Sequence, residues 1–506
     1  MSMSYQVTID VSDDESYGLD VSADVLAIAW RLGMAHPYAP IADPAEAQIT
    51  LVNRAGQHNV YPTGQRVRIQ SVRDGGSPVT HFVGAIDRVQ LTTGSSADHR
   101  AVLTCYGRGR ELDQQTVTLP LLLNISADAA LRAIIARVRL RYPALAGYCI
   151  IDVAGYNDLG ATPMIFPALP LSLAFEAGKS TFAYVGDVWT TTTSAYAAIR
   201  DVVASEGGRF FFDREGRAVF YNRHHVFVDT PQTLSIDDDV LELDYDYGAE
   251  VMTQVETTLT PRRIGAQNRL LWQSEDPIAV PQDVTQVLTV RYSIDNRTIS
   301  ALTVQDPLPY IHYRANTRAD GQGLDVTDAL RVALRAESNS RGGMLELDNP
   351  TRFSQVYVTQ LELRGTPLLS DNPLTITARD TVAETFYGVR RQRLRLSLLS
   401  DSAEAQAAVT DALLQQRQVR GIVHRVTTDT HTHAPAVQTL TLFDRLQITE
   451  AHSGHSADYR IIAEAHEVRA GGSQHRVTWT LEPDDSAVFI VVDTSSVNGA
   501  QRLRAR

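Results

Sequence analysis

Two stretches of this chain lie 379 residues apart and carry the same strand pattern. GQRVRIQ at 64–70 reappears as FDRLQIT at 443–449, so that Arg66 maps onto Arg445. The same offset places Gly84-Ala85-Ile86-Asp87-Arg88-Val89 on Ala463-Glu464-Ala465-His466-Glu467-Val468. A third strand, HRAVLTC from His99, falls on HRVTWTL from His475 at an offset of 376. These runs alternate with a period of two, so alternate side chains share one sheet face. Upstream, Asp24–Trp30 (DVLAIAW) is echoed by Asp239–Tyr245 (DVLELDY), and Gln48-Ile49-Thr50-Leu51 more loosely by Gln254-Val255-Glu256-Thr257. The repeat predicts one small β-barrel that is continuous over about 5–118. It predicts a second, split between 235–262 and 420–490.

Other alternating runs separated by turn signals (DGG at 74–76, TTGSS at 92–96, AGG at 470–472) make the chain mainly β. Helices are expected after Ser126, after Ser194 with Gly207 to end it, after Asp401 with Glu404 in a capping box, and near 327–337. The fold class is therefore mainly β with α+β insertions: two tube-like barrels from an internal duplication, plus two accessory domains. The expected domains are 1–118, the first barrel; 119–234, an α+β accessory domain; 235–262 with 420–490, the split barrel; 263–419, an inserted α+β domain; and 491–506, a tail.

Composition narrows the function. Of 506 residues, 43% are apolar and 21% charged, enough for a buried core in each domain and unlike a disordered chain. Two cysteines exclude a disulfide scaffold, and Cys105 and Cys149, in apolar surroundings, read as buried thiols. Lys179 is the lone lysine beside 45 arginines, yet the net charge is −13, which argues against a broad DNA-binding face. No apolar run reaches the ~20 residues that span a bilayer, and the N-terminal segment lacks a signal-peptide pattern; a soluble product made in the cytoplasm is expected.

Short catalytic motifs fail on spacing. GKST at 178–181 would need a glycine where Leu173 stands. His431-Thr432-His433, on one strand face, could reach zinc with His424 or Asp429, but the spacing is wrong for a wall-cleaving zinc peptidase. His452 and His455 flank a hairpin turn. Gly454-His455-Ser456-Ala457 ends at Asp458, so it is no nucleophile elbow. The acidic series Asp237, Asp238, Asp239, Glu242, Asp244 and Asp246 fits either a solvated turn or a channel wall that repels phosphate. No catalytic, cofactor-binding or metal-binding residues are assigned, and no cofactor is expected.

The order of these segments resembles one family. The early LVN strand with GQRVRIQ and HFVGAIDRV is similar to that family's first tube-like domain, and AIRDVVASEGGRFFFDREGRAVFYNRHH to the helix-plus-hairpin domain that follows. DVLELDYDYGAEVMTQVETTLTP resembles the return into a second barrel, and TARDTVAETFYGVRRQRLRL, DRLQIT and HRVTWTLEP the C-terminal part. The family is the central hub of phage tail tips and baseplates, with relatives in phage-derived injection systems. The resemblance implies a structural, non-enzymatic homotrimer at the virion tail tip, assembled in the host cytoplasm. Its pseudo-sixfold ring would join a hexameric distal tail or tail-tube protein to a central spike, fibre or tape-measure protein. It would gate DNA without sequence-specific contact or a membrane anchor. The alternatives are a tail-associated cell-wall hydrolase or endopeptidase, the hub of a phage-derived injection system, and a receptor-binding tail protein with glycan contacts near Tyr310 and Tyr313.

Overall fold

The computed structural model describes residues 3–12, 16–93, 99–138, 148–150, 165–167, 173–190, 192–225, 233–236, 240–248, 250–335, 340–484, 489–490 and 502–503. Its largest sheet holds thirteen strands, the two-residue strand Leu19–Asp20 and twelve main ones. In chain order these are β1 (Met3–Asp10), β2 (Val25–Gly33), β3 (Asp43–Val52), β4 (Arg66–Arg73), β5 (Val79–Thr92), β6 (Arg100–Tyr106), β7 (Thr233–Ile236), β8 (Glu242–Tyr247), β9 (Gly421–Asp429), β10 (Arg445–Glu450), β11 (His455–Arg469) and β12 (Gln474–Pro483).

The first six strands pair in the order β2-β3-β6-β5-β4-β1, and the last six in the order β8-β9-β12-β11-β10-β7. Each strand thus has its counterpart six places on, and the duplication is one of topology. The ladders fix the equivalences residue by residue. Ile28 faces Ile49 as Leu243 faces Val426, which fixes offsets of 215 and 377. Arg66 pairs with Ala85 as Arg445 pairs with Arg460. A bulge between Ile86 and Arg88 on β5 recurs between Ile461 and Ala463 on β11. Even the backbone bonds at the hairpin mouth repeat: Ile86 N donates to Gln65 O, and Ile461 N to Asp444 O.

Three expectations are corrected by these registers. The offset of 379 holds for β4 and β10, but β5 maps onto β11 at 375, because the second hairpin is four residues shorter. A slip of four preserves the inward-outward alternation, so the sequence pattern could not expose it. Gln254–Thr257 is not the counterpart of β3. It lies in the strand Gln254–Leu259, which pairs with Leu374–Arg379 and Arg391–Leu394 in a separate sheet of the insertion. The counterpart of β3 is β9, far downstream. The helix expected near 327–337 is a turn followed by the strand Arg331–Leu334, paired with Gly342–Asp348.

The two units differ at one end. β1 runs antiparallel to β4, whereas β7 runs parallel to β10. In the first unit, Val21 N donates to Val7 O and Val7 N to the Ser22 hydroxyl, so the chain enters β2 alongside β1 and the ends of the six-strand path approach each other. Among the described residues, no ladder joins β1 to β2 or β7 to β8.

Helices α1 (Gly109–Gln114), α2 (Ala127–Arg137), α3 (Ala195–Glu206), α4 (Thr381–Tyr387), α5 (Ser402–Gln416) and α6 (Thr430–Thr439) lie outside the sheet. The expected starts of α2, α3 and α5 are present. Ser194 accepts from Ala197 N, Gly207 ends α3 at φ 73°, and Asp401 accepts from Ala403 N and Glu404 N. α2 and α3 share a second apolar core that includes Leu131, Ile134, Ile199 and Val202.

One apolar cluster runs through both six-strand units. Equivalent positions fill equivalent places: Val67 and Leu446, Ile69 and Ile448, Ile86 and Ile461, Leu103 and Trp479, Cys105 and Leu481 are all fully buried or within 1% of it. Burial pushes the Cys105 thiol upward, so it stays protonated. The side chain of Cys149 lies outside the described residues. Arg66, which the two-residue period places on the outer face with Arg68 and Gln70, is buried, because β1 covers that end of β4 and sets buried Asp10 opposite it. Ile69→Ala and Ile448→Ala are each expected to cost about 2–5 kcal/mol by creating a cavity. Gln447→Ser, on the exposed face, should stay within about 0.5 kcal/mol. Chemical denaturation of the three variants measures this.

Candidate functional site: the seam between the two units and the free sheet edges

The units share a ladder. β2 of the first runs antiparallel to the far half of β11 of the second, with Ile28 opposite Val468, Trp30 opposite His466 and Gly33 opposite Ala463. Met34 N extends the ladder to Ile462 O at 2.7 Å. Gly33 sits at φ 117°, and a Cβ there would lie 2.4 Å from the backbone of Ile462 and Ala463, so the close approach requires glycine.

Beneath this ladder lies a buried polar network. The Trp30 ring stacks on His466 at 4.4 Å and 9°. His466 Nδ1 is 3.0 Å from His475 Nε2, and His475 Nδ1 is 2.5 Å from the Tyr5 hydroxyl. In one set of neutral tautomers Tyr5 O–H donates to His475 Nδ1 and His475 Nε2–H to His466 Nδ1, while His466 Nε2 lies 3.6 Å from Glu464, beyond hydrogen-bond reach. Glu464 is held by Arg214, whose Nε and Nη2 reach its two oxygens at 2.7 and 2.6 Å. Arg214 also donates to Gln438 O and Leu440 O. Next to these, His81 shares a hydrogen bond with Ser71, which accepts from Gln438.

The electrostatics follow from burial. Desolvation pushes the Glu464 carboxyl up, but the Arg214 guanidinium and the hydrogen bonds outweigh it and hold the group well below its ordinary value. Burial lowers His81 and His466 and takes His475 down to about 2. Arg214 comes from the hairpin between Arg209–Phe212 and Ala218–Tyr221, so the pair pins the accessory domain onto the seam. His466, His475 and His433 are all buried.

The remaining motifs resolve into structural roles. In GKST, the Lys179 and Ser180 amides donate to the Glu206 carboxylate, which fills the place an anion would need. His431 and His433 sit on α6, not on a strand; Asp429 caps that helix, and His433 bonds the Thr428 hydroxyl. Among the described residues, no group of three or more His, Cys, Asp or Glu could hold a metal ion. His452 and Ser453 cap the Glu450 carboxylate through their amides at a hairpin turn. Tyr310 is exposed, but Tyr313 is buried and donates to Leu330 O, so the two form no shared aromatic surface. A cavity of about 610 Å³ lies between α3, α5 and the second unit. Its carboxylate Asp201, raised by burial against the pull of Arg395, accepts from Trp189 Nε1 and is tied into the wall. No described helix is long and apolar enough to cross a membrane.

The acidic series divides. Asp237, Asp238 and Asp239 lie outside the described residues. Glu242, Asp244 and Asp246 share one face of β8 and are exposed, while Leu243 on the other face packs against the core. β8 ends the sheet path, and its outer edge has no ladder among the described residues.

No family model and no curated protein matches the sequence. Solved structures it is similar to include phage tail proteins and a secretion-system component. A tail protein from Neisseria meningitidis MC58 gives a TM-score of 0.49 at 9% identity, covering 96% of this chain and 99% of that one. The prophage MuSo2 43 kDa tail protein from Shewanella oneidensis gives 0.48 at 8% identity, covering 96% and 99%. An E. coli component of the type VI secretion system, described as structurally similar to T4 bacteriophage tail proteins, gives 0.38 at 10% identity, covering 96% and 76%.

Glu464→Gln should cost about 3–5 kcal/mol, since it strips Arg214 of its counter-charge, whereas an apolar double replacement of both residues should recover much of the loss. Denaturant titration of single and double variants reads this. Acid should also loosen the seam. The fold keeps His81, His466 and His475 neutral, while the unfolded chain takes up protons near pH 6.5, so each can remove up to ~1.4 kcal/mol per pH unit below that. Below pH 4.5 the unfolded chain also protonates Glu464, which removes the carboxylate's contribution in the same direction. Melting curves from pH 7.5 to 5.0 should show a falling midpoint, flatter in His475→Gln.

Proposed function

We propose that this chain is the structural hub at the distal end of a phage tail, working as a trimer whose six similar units form a ring around a channel. The observation that carries this reading is the duplicated six-strand unit, with the same strand order, the same bulge and the same hairpin-mouth hydrogen bonds in both copies. Three chains with two equivalent units present six similar faces. Such a ring can mate with a hexameric tail-tube or distal tail protein on one side and a threefold spike or fibre on the other. The sequence resemblance to tail hubs points the same way.

The function is mechanical. The ring would seal the tube, hold the spike or tape-measure protein, and let DNA pass without sequence-specific contact. The acidic face of β8 suits such a passage if it borders the channel, because like charge keeps phosphates from sticking. The polar clusters are consumed by structural contacts, which favours a non-enzymatic role. Averaged images of assembled particles should show three copies at the tail end; one or six copies would overturn the proposal. Purified protein should leave peptidoglycan intact in a zymogram, and clearing would instead support a wall hydrolase.

A further inference from the structure

We infer that the ring is closed by a second seam, in which the free edge of β8 docks antiparallel on the far half of β5 of another copy of this chain. The inference rests on the hub reading for the number of copies, but its register comes from the molecule's own pseudosymmetry. Within one chain, β2 of the first unit pairs with residues 463–468 of β11 in the second. The counterpart of β2 is β8, at an offset of 215, and the counterpart of those residues is 88–93, at an offset of 375. Both counterparts are left open. β5 pairs with β4 through Val79–Ala85, and beyond Ile86 that side has no ladder among the described residues. β8 is likewise unpaired on its outer side.

Applying the offsets to the existing seam gives the new one. Trp30 opposite His466 becomes Tyr245 opposite Leu91, Arg31 opposite Ala465 becomes Asp246 opposite Gln90, and Gly33 opposite Ala463 becomes Gly248 opposite Arg88. The side chains suit the role. Trp30, in the closed seam, is 3% exposed, whereas Tyr245 and Leu91 are 38% and 40% exposed at the equivalent places. Tyr247, at the position of buried Leu32, is 68% exposed. These are large apolar groups on bare sheet edges, where an unpaired strand invites another. Gly248, like Gly33, has positive φ, so the tight crossing is available again. Arg88 lies diagonally across from Asp246 on the same face, which sets opposite charges within reach.

The contact uses different patches on the two copies, so it propagates head to tail and must either close or form a filament. Directly opposed residues in an antiparallel ladder have Cα atoms about 4.5–5.5 Å apart, within disulfide range. The test therefore uses full-length protein with Cys149→Ser and the pair Gln90→Cys and Asp246→Cys. Under mild oxidation, chains carrying both cysteines should link into a series ending at three. An equimolar mixture of the single variants should give linked pairs only, and peptide mass spectrometry should find residue 90 joined to residue 246. Gln90→Cys with Asp244→Cys, two residues out of register, should link poorly.

Three-copy particles without the 90–246 bond, 90–90 or 246–246 bonds, or a chain that stays single and unlinked would each overturn the edge pairing. A 90–246 series that ends at another number would uphold the pairing and overturn the trimeric ring.

Discussion

The ladder between β2 and β11 is the contact on which the arrangement of this molecule depends. It turns two six-strand units into one sheet and fuses their cores into one apolar cluster. A backbone ladder alone would tolerate slippage by two residues with little change in which side chains face inward. Gly33, the Trp30–His466 stack and the Arg214–Glu464 pair remove that freedom. Each works only in one register, since a shift would drive a Cβ into backbone or strand a charge in the core. The buried ions thus favour uniqueness at a cost in stability. Because Arg214 belongs to the accessory hairpin, the same pair also fixes that domain's position.

What the sequence revealed follows from periodicity. The strand segments of the first unit, the β2–β8 equivalence at 215 and the β6–β12 equivalence at 376 are legible because the apolar residues alternate in step, whereas the order in which the strands pair is not. The β5–β11 offset was missed by four because a shift by an even number leaves alternation intact. The partner of β3 was misplaced because a four-residue alternating segment such as Gln254–Thr257 matches too many strands, and only hydrogen bonding tells which it joins. The turn and strand at 326–334 looked helical because VTDALRVAL satisfies both periods.

The seam itself left a trace that periodicity reasoning passed over. Glu464 and His466 occupy alternate positions that the β11 pattern assigns to the interior, and His475 begins the next strand. Polar residues at inward positions of a strand need partners, and such partners come from elsewhere in the fold. Arg214, 250 residues away, could not be matched to Glu464 by spacing, since the accessory hairpin brings it there. The free edges were invisible for a different cause. An exposed Tyr245 or Leu91 reads as ordinary surface until its counterpart is seen buried in the same setting.

The split of the second unit has a simple geometric basis. In the first unit, β2 and β3 are joined by a short connection after Gly33, which faces Asp43. In the second, the same hairpin β8–β9 is opened, and residues 248–420 are inserted at its tip. Entry and exit are adjacent: Tyr247 pairs with Gly421, and Gly248 N donates to Arg420 O at 3.1 Å. A long insertion whose ends are already held together leaves the parent ladder undisturbed, and loop-closure entropy rises only slowly with length. The insertion brings its own sheets and a separate apolar cluster around Leu271, Val280, Val358 and Leu363. It can therefore vary in what it presents without altering the register of β8. That matters for the proposed ring, because the strand that carries the insertion is the one whose outer edge is offered to the next copy.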